Sequence, residues 1–474
     1  MSAAASTPTR IARLPALARL ERLCDPGSLH VIRSEAASSR MAERSRPGDG
    51  VVGAAGKVAG RPIFCYAQDS AYAGGSLGEA HADTIVRVMR LAGRSRAPVV
   101  GFIDSGGARV QEGVAALGGY GRIFSENVAL SARGVPQISV ISGTAAGGGS
   151  YSPALTDFTV MTEDTSMFLT GPDVVREAIG EEVSATQLGG TRVHERNGVC
   201  QFVVPGDEES VLLARALLSF LPQSAGAAPP RAAVVEPVEG DPAEPVPAEA
   251  RRVYDVREVA RRLMDGGGLL EVSPRWAKNV VTAFARVDGR PVGVVANQPR
   301  HLGGTLDADA AQKAARFVAT CNGYGLPLVV LVDTPGFLPG SGQEAAGVIR
   351  HGATLLRAFA EASVPRVTVV LRKAYGGAYI TMNAKDLGAD LTFAWPDAQI
   401  GVMGAAQAVG HTHRRELAAL NGDGAERRAE LAAAYAEEHL RATVAARQGF
   451  VDEVIEPAAT RARLCWALDS LERS

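Results

Sequence analysis

Two glycine runs hold the clearest chemical potential in this chain: Gly147-Gly148-Gly149 within TAAGGGSYSP, and Gly376-Gly377-Ala378 within KAYGGAYIT. Each follows an apolar, β-branched stretch, VPQISVIS or VPRVTVVLR, so each is expected at the end of a buried strand. Consecutive N–H groups free of side chains at a strand-to-helix turn can point together at one carbonyl oxygen. There they stabilise the charge that develops when a thioester becomes an enolate. Glycine permits the close backbone approach, and a following helix N-terminus would add its positive dipole end. Two runs then mean two oxyanion holes, for two carbonyl-bearing ligands. For a single run the competing reading is a tight turn where a helix meets a sheet. A phosphate loop fits poorly because no G-K-[ST] follows either run, and neither gives G-x-G-x-x-G opening a helix. Ser150 and Ser152 suggest a nucleophile elbow, but the eight histidines offer no obvious partner.

The elements that must position these runs are duplicated. GRPIFCYAQD begins at Gly60, and GRPVGVVANQ begins at Gly289. The same offset carries Gly74-Gly75 onto Gly303-Gly304, Asp104 onto Asp333, and Gly147-Gly148-Gly149 onto Gly376-Gly377-Ala378. Each copy alternates short strands with amphipathic helices: RPIFCYAQ, EAHADTIVRVMRLAGR and APVVGFID in the first, RPVGVVANQ, DAAQKAARFVATCNGYG and LPLVVLVD in the second. The pattern predicts an α/β fold with covered sheets and ligands at the carboxyl ends of strands. A Pro-, Ala- and acid-rich stretch, residues 223–250, cannot bury enough apolar surface to fold alone. It is expected to connect an N-terminal domain, 1–222, to a C-terminal domain, 251–474.

Bulk composition narrows the function classes. A formal net charge of −2 over 474 residues gives no reason to expect nucleic acid or an anionic membrane. No run reaches the ~18 apolar residues of a membrane span. The five scattered cysteines form no C-x-x-C pair, which predicts buried thiols in a reducing cytoplasm and no metal in this chain. His411 and His413, at i and i+2, do not share a helix face.

Several ordered motifs together are more specific. GDGVVGAAG (48–56), GGSLGEAHAD (74–83), DSGGARVQEGV (104–114), AGGGSYSPALTDFTVM (146–161), TSMFLTGPDVV (165–175), LGGTRVHERNGV (188–199), LVDTPGFLPGSGQE, RKAYGGAYITMNAK, FAWPDAQIGVMGA and AARQGFVDEVI follow one another along the chain, and the resemblance they carry runs from about Asp25 to about Leu471. On these the chain resembles the carboxyltransferase (β) subunits of biotin-dependent acyl-CoA carboxylases, of the propionyl-CoA and acetyl-CoA type. The resemblance implies tandem crotonase-fold domains, the first on the acyl-CoA side and the second on the biotin side. It implies transfer of a carboxyl group from carboxybiotin to the α-carbon of an acyl-CoA. N–H groups among Gly147, Gly148 and Gly149 would hold the thioester oxygen, and those of Gly377 and Ala378, after Gly376, the ureido oxygen of biotin. Tyr151, Tyr379 and Ile380 would line the substrate, and Ile380, where propionyl-selective members carry an acid, would favour a broader acyl range.

The implied partners are a separate biotin carboxylase and biotin carboxyl carrier (α) subunit, and further copies of this chain. The copies would form a hexamer with active sites at subunit interfaces. A biotin-dependent decarboxylase or transcarboxylase subunit shares the same motifs, and a non-catalytic structural subunit is the alternative of a different class. Three departures stand out: Thr84 replaces a basic residue that can face the CoA phosphates, Gly149 replaces the usual alanine, and Asn197 opens NGV where SGV is usual.

Overall fold

The computed structural model describes residues 13–249, 251–419 and 424–472. The chain divides into two compact units, Met1–Ala228 and Pro229–Ser474. In the first, eight strands form one sheet: β1 His30–Ile32, β2 Val51–Val58, β3 Arg61–Gln68, β4 Val99–Ser105, β5 Gln137–Ala146, β6 Phe158–Thr162, β7 Ser166–Phe168 and β8 Phe202–Val204. Their order is β1-β2-β3-β4-β5-β6-β8, with β7 paired to β5. The β1-β2 and β2-β3 pairs are antiparallel; from β3 onward every pairing is parallel.

The second unit repeats this with β9 Leu270–Glu271, β10 Val280–Val287, β11 Arg290–Asn297, β12 Leu328–Thr334, β13 Arg366–Tyr375, β14 Leu391–Ala394, β15 Gln399–Gly401 and β16 Glu453–Val454. Strands β2 to β5 recur as β10 to β13, each displaced by the constant offset read from the sequence. Beyond the glycine turns the spacing slips, and the chain from β14 to β16 is longer than that from β6 to β8. Between β15 and β16 the second unit inserts helices Ala405–Thr412 and Gly424–Tyr435, and the latter has no buried residue.

Apolar, mostly β-branched strands explain why both sheets are buried. Every residue of β4, β6 and β12 is buried, as continuous parallel strands covered on both faces require. Helix Glu79–Ser95 lays Ala82, Ile85, Val86, Val88, Met89 and Ala92 on the first core. Its N-cap, Gly78, has no side chain to offer, because an added Cβ would run into Arg109 and Glu112. Those neighbours supply the cap instead. Glu112 accepts from Glu79 N at 2.7 Å and Asp49 from His81 N at 3.0 Å, while Arg109 joins the two carboxylates at 2.6 and 2.8 Å. Removing Arg109 would leave two buried carboxylates without their shared cation.

Residues 229–249, most of the stretch expected only to connect, belong to the second unit and are hydrogen-bonded along it. Ala232 N donates to Gly289 O at 2.9 Å, Gly266 N to Glu236 O at 3.1 Å, and Arg372 reaches the Pro247 and Glu249 carbonyls at 3.2 and 3.1 Å. Residue 250 lies outside the described residues.

Candidate active site

Both glycine runs sit at the carboxyl end of a strand, β5 or β13, that pairs in parallel with three others. Gly147 has φ +58° and Gly376 φ +59°, a backbone conformation that residues with a Cβ rarely adopt. Each turn feeds a short helix, Gly148–Ala154 or Gly376–Thr381. The dipole contribution expected from a following helix is small here: the helices have seven and six residues, the first with Pro153 inside, so few peptide dipoles align. What the turns offer is individual N–H groups at the first helical positions, where donors lack intrahelical acceptors.

The three residues of the first run differ in what they can give. The N–H of Gly147 donates to Phe168 O at 3.0 Å and belongs to the β5-β7 edge, so it is not a free donor. Gly148 and Gly149 follow it on the helix. A Cβ on Gly148 would come within 2.7 Å of the Tyr120 ring, so this position has to be glycine. At Gly149 the nearest atom would be Tyr120 Oη at 3.4 Å, an ordinary contact, and the equivalent Ala378 is fully buried. Over Gly377 the space is open, with only Phe337 at 4.0 Å from an added Cβ.

Side chains next to the turns duplicate as well. Tyr151 and Ile380 occupy equivalent positions and are 51% and 48% exposed, large apolar groups presented at the mouth of each turn. Tyr379 is half-buried, and burial pushes its hydroxyl up to about 12, so it stays protonated. Ser150 Oγ donates to Gly147 O at 2.7 Å and Ser152 Oγ to Asn127 at 3.0 Å; both brace the turn and neither meets a histidine. Ser105 Oγ accepts from Gly107 N at 3.3 Å, as Thr334 Oγ1 does from Gly336 N at 3.3 Å, closing the neighbouring strand-exit loops identically.

Two sequence readings change. Thr84 does not present its side chain to solvent. It is buried on the helix Glu79–Ser95, donating to Ala80 O and accepting from Arg33 Nε, both at 3.2 Å. Its counterpart Lys313 is buried too, with Nζ donating to the carbonyls of Val280 at 2.7 Å, Trp276 at 3.0 Å and Ala277 at 3.4 Å. A cation on this face ties down the preceding loop. Asn197 caps a local turn by accepting from Val199 N at 3.1 Å. The role of Tyr120 was not visible in the sequence: it comes from a helix that precedes β5, well upstream of Gly148, and GGYGRIF carries no pattern that announces it. Among the described residues no group of three His, Cys, Asp or Glu side chains could hold a metal ion, and no helix is long and apolar enough to cross a membrane.

Two parallel-rich sheets, each ending a central strand in a donor-bearing glycine turn, define an enzyme of tandem crotonase-like domains. The family model described as carboxyl transferase domain matches residues 11–474. The propionyl-CoA carboxylase carboxyltransferase subunit of Haloferax mediterranei is 50% identical over 432 residues, 90% of this chain and 83% of that one. The methylmalonyl-CoA carboxyltransferase 12S subunit of Propionibacterium freudenreichii subsp. shermanii is 46% identical over 461 residues, 95% of this chain and 87% of the relative. A crystal structure of the transcarboxylase 12S hexamer, with methylmalonyl-coenzyme A and methylmalonic acid bound, matches with a TM-score of 0.91 at 44% identity, over 98% of this chain and 90% of that one. The chain belongs to the carboxyltransferase (β) subunits of biotin-dependent acyl-CoA carboxylases, enzymes that move a carboxyl group between biotin and an acyl-CoA.

Proposed function

We propose that this subunit carboxylates the α-carbon of a short acyl-CoA, using the two glycine turns as separate oxyanion holes. The observation that carries this reading is the pair of equivalent turns, with positive φ at Gly147 and Gly376 and donors at the next two residues of each helix. The N–H groups of Gly148 and Gly149 hold the thioester oxygen as the α-proton leaves and the enolate forms; one such donor contributes about 2.7–4 kcal/mol to the transition state. Those of Gly377 and Ala378 hold the ureido oxygen of biotin. Carrier-borne carboxybiotin, when bound, supplies the carboxyl unit and a basic nitrogen for the α-proton. Tyr151 and Ile380 shape the acyl side and keep water from the intermediate. An apolar Ile380 suits acetyl, propionyl and butyryl chains. The partners are a biotin carboxylase with its biotinylated carrier and further copies of this chain, assembled as a hexamer with the site completed across subunits. The five free cysteines, four of them buried, fit a reducing compartment such as the cytoplasm.

The test supplies biotinylated carrier, biotin carboxylase, ATP and bicarbonate and screens acyl-CoAs for carboxylated product. Product with short acyl-CoAs supports the reading, and none with any acyl-CoA overturns it. Ile380→Asp should shift preference away from acetyl-CoA; an unchanged profile shows that Ile380 only packs. The likeness to the 12S subunit favours a second reading, transcarboxylation. It would show itself as carboxyl transfer from methylmalonyl-CoA to the biotinylated carrier without ATP.

A further inference from the structure

We propose that Tyr120 is a positioning residue for the first turn: its ring is the floor that sets where the N–H groups of Gly148 and Gly149 stand. The inference rests on the reading of that turn as an oxyanion hole. Tyr120 is 5% exposed on the helix Val114–Ala132, and its ring lies so close under Gly148 that Cγ and Cδ2 would each be 2.7 Å from an added Cβ. A ring in that position leaves the backbone of Gly148 one height to occupy.

The ring is itself fixed from two sides. Its hydroxyl lies 3.3 Å from Ser105 Oγ at the end of β4, and that same oxygen accepts from Gly107 N. Gly107 lies beside the end of β5, where an added Cβ would stand 3.4 Å from Ala146 O. On the other side Tyr120 stacks on Phe124 at 5.9 Å, and Phe124 meets Tyr151 edge-on at 5.9 Å. The line of rings therefore runs from under Gly148 to the exposed side chain at the mouth of the turn. Burial raises the Tyr120 hydroxyl above its usual range, so it remains a neutral hydrogen-bonding group.

The second unit lacks this device. The position equivalent to Tyr120 is Ile349, 75% exposed, and the aromatic near Gly377 is Phe337, from the β12 exit loop, at the looser 4.0 Å. Tight seating is confined to the turn that faces the acyl thioester, where displaced donors would lose transition-state stabilisation directly.

The experiment is a double-mutant cycle on the assembled carboxylase with propionyl-CoA. Gly148→Ala keeps its N–H but meets the ring, and should lower kcat roughly 10²-fold at nearly constant KM. Tyr120→Ala should lower kcat roughly tenfold, and Tyr120→Phe, which keeps the ring, by no more than about threefold. In Tyr120→Ala/Gly148→Ala the new methyl has room, so kcat should be no lower than in Gly148→Ala alone. In the Tyr120→Phe background Gly148→Ala should stay as damaging as before. The proposal is overturned if the two single losses multiply in the double variant, if Tyr120→Ala acts through KM, or if Gly148→Ala retains full kcat. Where Tyr120→Ala does not fold, Gly148→Ala alone and in the Tyr120→Phe background still decides the matter, and Tyr120→Ser can close the cycle. A wild-type complex without activity towards any acyl-CoA would instead sink the functional reading itself.

Discussion

Asp104 and Asp333 stand at the ends of equivalent strands, and the two units surround them differently, although each has a cation near it, Arg13 at 3.7 Å from Asp104. Asp104 occupies the space a side chain at Gly143 would fill; an added Cβ there would collide with its carboxylate. It accepts from Ser70 Oγ at 2.7 Å and from Thr144 N at 3.2 Å. In the second unit the residue equivalent to Gly143 is Arg372, whose Nε reaches Asp333 at 3.0 Å, with Lys373 Nζ at 3.8 Å. Asp333 is fully buried, and burial pushes its carboxyl up against the pull of Lys373 and Arg372. Both solutions keep one feature: an amide side chain, Gln68 or Asn297, accepts from the aspartate's own N–H, at 3.2 and 3.3 Å. Duplicated backbone geometry thus tolerates different chemistry around an equivalent carboxylate.

The largest break in this comparison should come from Arg372→Ala. It strips the closest partner from a buried charge and should cost about 3–5 kcal/mol in chemical denaturation. Adding Asp333→Asn should recover part of that loss. A loss below about 1 kcal/mol would mean Lys373 alone suffices. Gly143→Ala tests the other solution. Its methyl needs the place Asp104 occupies, so about 1–3 kcal/mol should be lost, and a neutral result would show that Asp104 can leave without penalty.

Acid and alkali should separate the halves further. Burial pushes His81, in the first unit, down to about 3, so it is neutral when folded and protonated near 6.5 when unfolded. The unfolded chain then binds more protons, and stability falls as pH drops from 6.5 towards 3. Burial pushes Lys313, in the second unit, down to about 7, so its contribution is present above 10.5 and is lost as pH falls through 7. The equivalent positions are Ala310 and Thr84, so neither half has the other's group. His81→Gln should remove a fall in stability as pH drops from 6.5 towards 3, and Lys313→Met a rise in stability as pH climbs from 7 towards 10.5. Each should remove a slope of about 1.4 kcal/mol per pH unit, read from denaturation at a series of pH values. Unchanged profiles would show that other groups carry the dependence. The smallest effect expected is from Gly149→Ala, which copies Ala378 into a space that accepts a methyl. It should raise stability by about 0.4–1 kcal/mol, whereas a fall in melting temperature would reveal a need for glycine that packing does not show.

Periodicity and turn residues made much of this legible. RPIFCYAQ and RPVGVVANQ became β3 and β11, and the constant spacing holds strand for strand through β13. Antiparallel β2 escaped notice because VVGAAGKV is rich in glycine and alanine and carries little β signal. The glycine turns were legible as strand ends; which N–H is committed was not, because Gly147's acceptor, Phe168, lies on a short strand beyond the helix. Thr84 misled because a motif position says nothing of which helix face it lies on. Tyr120 stayed hidden because steric exclusion between segments leaves no local pattern, only a glycine whose reason lies elsewhere.

The hydrogen bonds from Arg372 to Pro247 and Glu249 bear on how this gene could be cut. An expression boundary drawn from composition would start the second half at 251 and discard both acceptors, leaving the guanidinium that neutralises Asp333 with two fewer anchors. A boundary at 229 keeps them. A stretch that looks expendable by its prolines and alanines is, for recombination or split-protein engineering, part of the half it precedes.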